Sequence, residues 1–254
     1  MNSVVDTSAN YTGGGSEEMV GRVVERWLAS PESYGAPRTK VISKFGYASV
    51  RLRLRPESKL PGLIVAAPGL GHSLHPDFYR SQLASSNERM GNIAADAYIV
   101  EHPDHHLAFK LGLIGKNGFK GVDLDTGSIA SDLRLEEARQ SFYDDMTTLF
   151  EAMEENVNVN VNGNGYYGVS SAGLSLPQSD PMHVSWERLV SCAEGAASRA
   201  GRERHSLMVV QMPANLLETT GLAAAPAMQS SGLMVMACHP LRAATPEGNF
   251  HLVD

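Results

Sequence analysis

Cysteine is scarce in this sequence: Cys192 and Cys238 are the only two among 254 residues. Both sit in apolar surroundings and neither belongs to a Cys-x-x-Cys pair, which argues against a disulfide framework and for two reduced thiols in a reducing compartment. Basic residues are outnumbered, 21 Lys and Arg against 28 Asp and Glu, for a formal net charge of -7. Phosphate neutralisation needs a basic patch, so nucleic acid and anionic membrane are excluded as expected partners. Long apolar runs are missing too: no window of about 18 apolar residues could span a bilayer. The first residues have neither the basic start nor the apolar stretch of a secretory signal, and a cytoplasmic protein is expected. What the sequence does have is 43% hydrophobic and 19% charged residues, enough apolar surface for a sizeable core. One large domain over residues 1–254 is expected.

Short apolar runs alternate with stretches of helical period. Strands are predicted at Ser3–Asp6, Val41–Phe45, Ala94–Val100, Gly165–Val169, Ser206–Gln211 and Leu233–Ala237, an order that implies parallel strands joined by crossovers. Ser16 is expected to cap a helix over Glu17–Ala29, with Glu17 and Glu18 at the positive end of its dipole and Met19, Val23, Val24 and Trp27 as its inward stripe. Leu135, Ala138, Phe142, Met146, Leu149, Phe150 and Met153 recur at three and four, which predicts a long amphipathic helix over Asp132–Glu155. The glycine-rich stretch 111–131 reads as an insertion loop and the asparagine-rich stretch 156–165 as a linker.

A polar group stands where every predicted strand stops: Asp6, Lys44, Glu101 with His102, Ser170 with Ser171, Gln211, and His239. Sites in parallel α/β folds lie at those carboxyl ends, where the loops converge. An Asp, a Lys and a Tyr among them form a chemical unit, because a lysine ammonium beside a tyrosine favours the phenolate and an acid holds the lysine. Two other readings are weaker. His102, His105 and His106 suggest metal but show no fourth ligand. "GVSSAG" nearly matches a nucleophile elbow around Ser170, yet Ala172 stands where the last glycine belongs.

"VVDTSANYTGGGSEEMVG" resembles the signature of the aldo-keto reductases, in which Asp and Tyr five residues apart precede a glycine turn and a Ser-Glu-Glu helix. "VISKFGY" is similar to the family's lysine strand, "GVSSAGL" to its Ser-Asn strand and "VVQMPANLLE" to its glutamine strand. "HSLHPDFYRSQLASSNERMG", "EHPDHHL" and "HPLRA" look most like the L-galactose and D-arabinose dehydrogenase branch. The resemblance implies a (β/α)8 barrel and an NADP- or NAD-dependent oxidoreductase that moves a hydride between nicotinamide and a sugar hemiacetal or a carbonyl. Tyr11 would be the general acid or base, tuned by Lys44 and Asp6, with Glu101 and His102 completing the catalytic set. Ser170, Ser171, Gln211 and His239 would contact the cofactor.

The sequence departs from the family pattern in three places. Glu101 stands at the catalytic His position, as in the steroid 5β-reductase branch, and His102 takes the Asn place. Ser171 replaces the Asn of the Ser-Asn pair, and Cys238 replaces the aromatic platform under the nicotinamide. Asp6 belongs at the end of the family's second strand, so the first and eighth strands are expected to be missing and the barrel incomplete, with six of eight strands. Exposed sheet edges would then invite self-association. The rival expectation is a truncated, non-catalytic relative that binds no dinucleotide.

Overall fold

The computed structural model describes residues 3–34, 39–49, 60–115, 118–119, 132–159, 165–245 and 248–252. Six parallel strands form its main sheet: β1 (Val4–Asp6), β2 (Lys40–Phe45), β6 (Ala97–Glu101), β9 (Tyr166–Ser170), β10 (Leu207–Pro213) and β11 (Met234–Cys238), laid side by side in chain order. Every strand expected from the apolar runs is present, shifted by three residues or fewer at either end. The connecting helices are α1 (Gly15–Leu28), α2 (Pro76–Met90), α3 (Asp104–Lys110), α4 (Asp132–Val159), α5 (Trp186–Arg199) and α6 (Thr220–Ser230). Three small antiparallel additions were not expected. They are a sheet of β3 (Tyr47–Ser49), β4 (Ile64–Ala67) and β5 (Leu70–His72), the hairpin β7 (Ile114–Gly115) with β8 (Gly118–Phe119), and the hairpin β12 (Arg242–Thr245) with β13 (Gly248–His251).

The sheet curls. In a flat sheet β1 and β10 would stand four strand spacings apart, about 19 Å, yet Gln211 Nε2 on β10 donates to Asp6 Oδ2 on β1 at 3.1 Å. Twist accumulated over the intervening strands turns the sheet into a trough. The fold is therefore α/β, an incomplete (β/α)8 barrel of six strands among the described residues.

The two-residue period of a strand sorts the side chains. Tyr98, Val100, Tyr167, Val169, Val210 and Met212 face outward into the main core with Phe142, Met146, Leu149 and Phe150 of α4. On the concave side Ile42, Ala97, Ile99 and Val209 pack into a smaller cluster. Two residues further along the same strands, on the same face, come Lys44, Glu101 and Gln211. Apolar layers thus fill the bottom of the trough and a polar layer lies at its mouth.

Three helix expectations need correction. Ser16 does not cap α1. It lies inside the helix and bonds Thr7 Oγ1 at 2.7 Å, while Gly14 caps with φ of 98°, a left-handed conformation that glycine adopts without strain. The inward face of α1 is Glu17, Val20, Gly21 and Val24; of the expected stripe only Val24 lies on it, while Met19, Val23 and Trp27 are 55%, 59% and 41% exposed. Gly21 shows why, since a Cβ there would stand 2.4 Å from the Met90 carbonyl oxygen of α2, so only this face allows the two helices to approach. Finally, α4 continues through Val159, so residues 156–159 of the expected linker are helical. Residues 160–164 of that linker, and 116–117 and 120–131 of the expected insertion loop, lie outside the described residues. No helix among the described residues is long and apolar enough to cross a membrane.

Candidate active site

After β1 the backbone keeps pairing with β2, through Thr7 N to the Ile42 carbonyl (2.9 Å) and Ala9 N to the Lys44 carbonyl (3.2 Å). The turn Tyr11–Gly14, with Thr12 and Gly13 in the left-handed region (φ 52° and 64°), then folds back and lays Tyr11 over Lys44. The Lys44 side chain is 1% exposed and its ammonium has three acceptors: Asp6 Oδ1 at 2.6 Å, the Tyr11 hydroxyl oxygen at 3.0 Å and the Thr7 carbonyl at 3.4 Å. An ammonium carries three N–H donors, so all are used. Burial would pull Lys44 down, but the hydrogen bond and charge of Asp6, and then Tyr11, more than offset it, and its pKa is raised. Lys44 therefore stays a cation beside the phenol. Asp6, Tyr11 and Lys44, three of the five residues expected to be catalytic, meet directly.

Glu101 and His102 stand at the end of β6, the strand paired with β2. Glu101 is 8% exposed, and its Oε2 accepts from Ser8 Oγ at 3.1 Å rather than from Lys44 or Tyr11. The Glu101 carbonyl accepts from His72 Nε2 at 2.6 Å, which puts the His72 proton on that nitrogen. His102 follows the strand in a left-handed conformation, φ 50°, its N–H bound to the Ser170 carbonyl at 2.7 Å. Its Nδ1 stands 3.7 Å from Asp104 Oδ1.

The expected cofactor contacts are tied to one another. Ser170 Oγ donates to Gln211 Oε1 at 2.9 Å, and Gln211 Nε2 donates to Asp6 at 3.1 Å. Ser171 is turned elsewhere: its Oγ donates to Asp104 Oδ1 at 2.7 Å and accepts from Gly173 N at 3.0 Å. His239 is exposed, φ 54°, and shares a cleft of about 210 Å³ with His102, Ala172, Pro213, Glu218, Arg242 and Asn249. Gln211→Glu is expected to lower the melting temperature more than Gln211→Leu near neutral pH, because it sets a second carboxylate against Asp6. The gap should close on acidification. Thermal melts at several pH values check the order.

Several site residues escaped the sequence reading. Tyr47 stands three positions after Lys44 in "VISKFGY", and its hydroxyl meets His105 Nε2 at 2.9 Å. Burial, then the charges of Glu101 and Asp104, push Tyr47 up, so its phenol stays neutral. Ser8, His72 and Asp104 likewise lie in the quoted motifs, but nothing in their spacing marks them.

The histidines around Tyr47 have opposed titrations. Burial, then His106 and His105, hold His72 well below its ordinary value. Burial, then Lys110 and His105, push His106 down to about 3, and burial also lowers His105. Burial lowers His102 as well, but Asp104 more than restores it and its pKa is raised. Asp104, despite its burial, is held down to about 2 by His102, His105 and Ser171. A histidine with a depressed folded pKa contributes stability that is lost as pH falls below its unfolded value of about 6.5. His102 works the other way, its stability present below about 6.5 and lost as pH rises through its folded value. Three lowered histidines outweigh one, so urea stability should fall between about pH 7 and about pH 5. His106→Asn should fall less steeply, and an unchanged slope would reject this assignment.

No model of a known protein family matches the chain, and no curated protein does. Among solved structures, a glycerol dehydrogenase of Gluconobacter oxydans aligns with 92% of this chain and 48% of its own, at 17% identity and a TM-score of 0.48. An aldo/keto reductase of Klebsiella pneumoniae, solved with NADP and acetate, aligns with 92% of this chain and 52% of its own, at 16% and 0.46. An aldo-keto reductase of Bacillus halodurans aligns with 92% and 51%, at 13% and 0.44. This chain spans about half the length of these structures.

Proposed function

We propose that the chain carries the proton-transfer centre of an oxidoreductase of the aldo-keto reductase kind, acting on a carbonyl or, more narrowly, a sugar hemiacetal, with NADP or NAD as cofactor. The observation that carries this reading is Lys44, a buried ammonium held between Asp6 and Tyr11. Because Lys44 donates to the phenol oxygen, the phenol's own hydrogen is free for another acceptor. Tyr11, 40% exposed, offers it into the barrel mouth. In reduction Tyr11 protonates the carbonyl oxygen as charge develops there, and the ammonium stabilises the phenolate left behind. In oxidation the phenolate takes the alcohol proton. Asp6 balances the charge of Lys44 and keeps it in place.

The Gln211 amide fits a nicotinamide: after bonding Ser170 and Asp6 it keeps one N–H and one lone pair, the complement of a primary carboxamide. Gln211 and Ser170 would hold the carboxamide, and a bound nicotinamide would supply the hydride in reduction and accept it in oxidation. Incubation with NADPH or NADH and a panel of aldehydes and ketones, and with the oxidised cofactors and aldoses, tests the proposal through the absorbance of reduced cofactor. No turnover on any member of the panel overturns it.

A second reading, a protein of this architecture that binds no dinucleotide, is favoured by one observation. Ser170, Gln211 and Asp6 bond one another, and Ser171 is spent on Asp104 and Gly173. Calorimetry separates the two, since a cooperatively melting protein that takes up neither NADP nor NAD selects the second. Self-association belongs to both readings, because the outer strands β1 and β11 leave Val4 41% and Met234 37% exposed. Sedimentation velocity over a range of concentrations tests it.

A further inference from the structure

A cavity of about 500 Å³, within the range of small-molecule sites, opens between α4, the segment after β9, and the first turns of α5 and α6. It shares no lining residue with the cleft at the strand ends. Leu174, Leu176, Trp186 and Ala224 give it an apolar wall.

Two arginines line it, in different states. Arg188 is committed. Its guanidinium lies 4.0 Å from the centre of the Tyr143 ring, with Glu136 at 2.9 Å and Gln140 at 2.8 Å on its two terminal nitrogens. Arg139 is not. Its Nη2 donates to the Asp180 carbonyl at 2.9 Å, its Nε is buried without a hydrogen-bond partner, and no carboxylate among the described residues pairs with it. A half-buried guanidinium with an unmet donor and no counter-charge favours an anion.

The walls are already set for one. Val184 N bonds the Gly173 carbonyl at 3.0 Å, Met182 N bonds Asp180 Oδ1 at 2.8 Å, and Ser185 N bonds the Tyr143 hydroxyl at 2.8 Å. The segment opposite α4 is thus braced without a ligand, which lowers the ordering cost of binding one.

We infer that this cavity is a binding site for a small organic carboxylate with a flat apolar body, the carboxylate on Arg139 and the body against Trp186, Leu174 and Leu176. A single uncommitted cation suits a monoanion. Glu136 and Glu187 at the same cavity disfavour a dianion such as phosphate. The inference is independent of the reaction proposed at the strand ends.

Isothermal titration of the full chain with benzoate, phenylacetate and indole-3-acetate tests it, with benzamide as the neutral control and inorganic phosphate as the competing anion. At least one carboxylate should bind saturably, at one site per chain, while benzamide and phosphate do not. Arg139→Gln should weaken that carboxylate about tenfold or more, in line with the loss of one charge-assisted contact. Tyr11→Phe should leave its affinity unchanged. Ala224→Phe, which fills the cavity and keeps Arg139, should abolish binding and serves as the deciding variant if Arg139→Gln does not fold. No saturable binding of any of the carboxylates by the unaltered chain overturns the inference. So does binding that survives Arg139→Gln or Ala224→Phe, that benzamide matches, or that phosphate displaces.

Discussion

Tyr11→Phe is expected to lower kcat for carbonyl reduction by about a hundredfold to ten-thousandfold, the usual worth of a positioned general acid. The melting temperature should stay close to that of the parent chain. The hydroxyl lost is at the open mouth, on a residue 40% exposed, and among the described residues its only hydrogen bond is the one it accepts from Lys44. KM should move little, since the proton is handed over only as charge builds on the carbonyl oxygen. Lys44→Met is expected to lose activity as well, but with a different signature. It removes the ammonium that Asp6, the Tyr11 hydroxyl and the Thr7 carbonyl share, so thermal stability falls together with turnover. Steady-state kinetics beside thermal melts separates the two variants. A Tyr11→Phe chain that turns over as fast as the parent would remove Tyr11 from the chemistry.

Glu17→Ala is expected to be the most damaging single change to stability. Glu17 is 0% exposed, and its carboxylate joins three elements: Ser43 Oγ of β2 donates to it at 2.5 Å and Arg89 Nε of α2 at 2.6 Å, while Arg89 Nη2 continues to Ser86, which meets the Tyr98 hydroxyl. Removing one partner of a buried pair costs about 3–5 kcal/mol, because the other charge is left unmatched. At about 2–4 °C per kcal/mol for a chain of this size, the melting temperature should drop by roughly 6–20 °C. The paired change Glu17→Leu with Arg89→Met should recover most of that loss, since it removes both charges together. Differential scanning calorimetry of the single and double variants checks the coupling, and additive losses would show that the pair is not the joint it is taken to be.

Glu17 also marks the limit of what the sequence discloses. As a glutamate in the first turn of a helix it reads as a dipole partner, and nothing local tells that reading from a buried ion pair. The outcome rests on Arg89, 72 residues away. The face of α1 is hidden for the same reason: its apolar residues spread around the helix, and the packing of Gly21 on Met90 selects the side that goes in. By contrast α4, with its wide and regular stripe, could be assigned from periodicity alone, and Phe142, Met146, Leu149, Phe150 and Met153 are all buried.

The six strands were legible because each apolar run is short and ends on a polar residue, and a period of two then places Lys44, Glu101 and Gln211 on the concave side whatever the helices do. Asp6, Tyr11 and Lys44 were legible as a unit because β1 and β2 are neighbours, so their meeting needs only one strand pairing and one tight turn. Contacts across the trough were not. Gln211 reaches Asp6 rather than a free position, Ser171 turns to Asp104, and Tyr47 sits among histidines drawn from β5, α3 and the loop after β6. Sequence alone determined which side chains lie at the strand ends, since alternation is a local property of the chain. Tertiary structure decided which of them touch, because curl is the summed twist of many strands and no single segment encodes it.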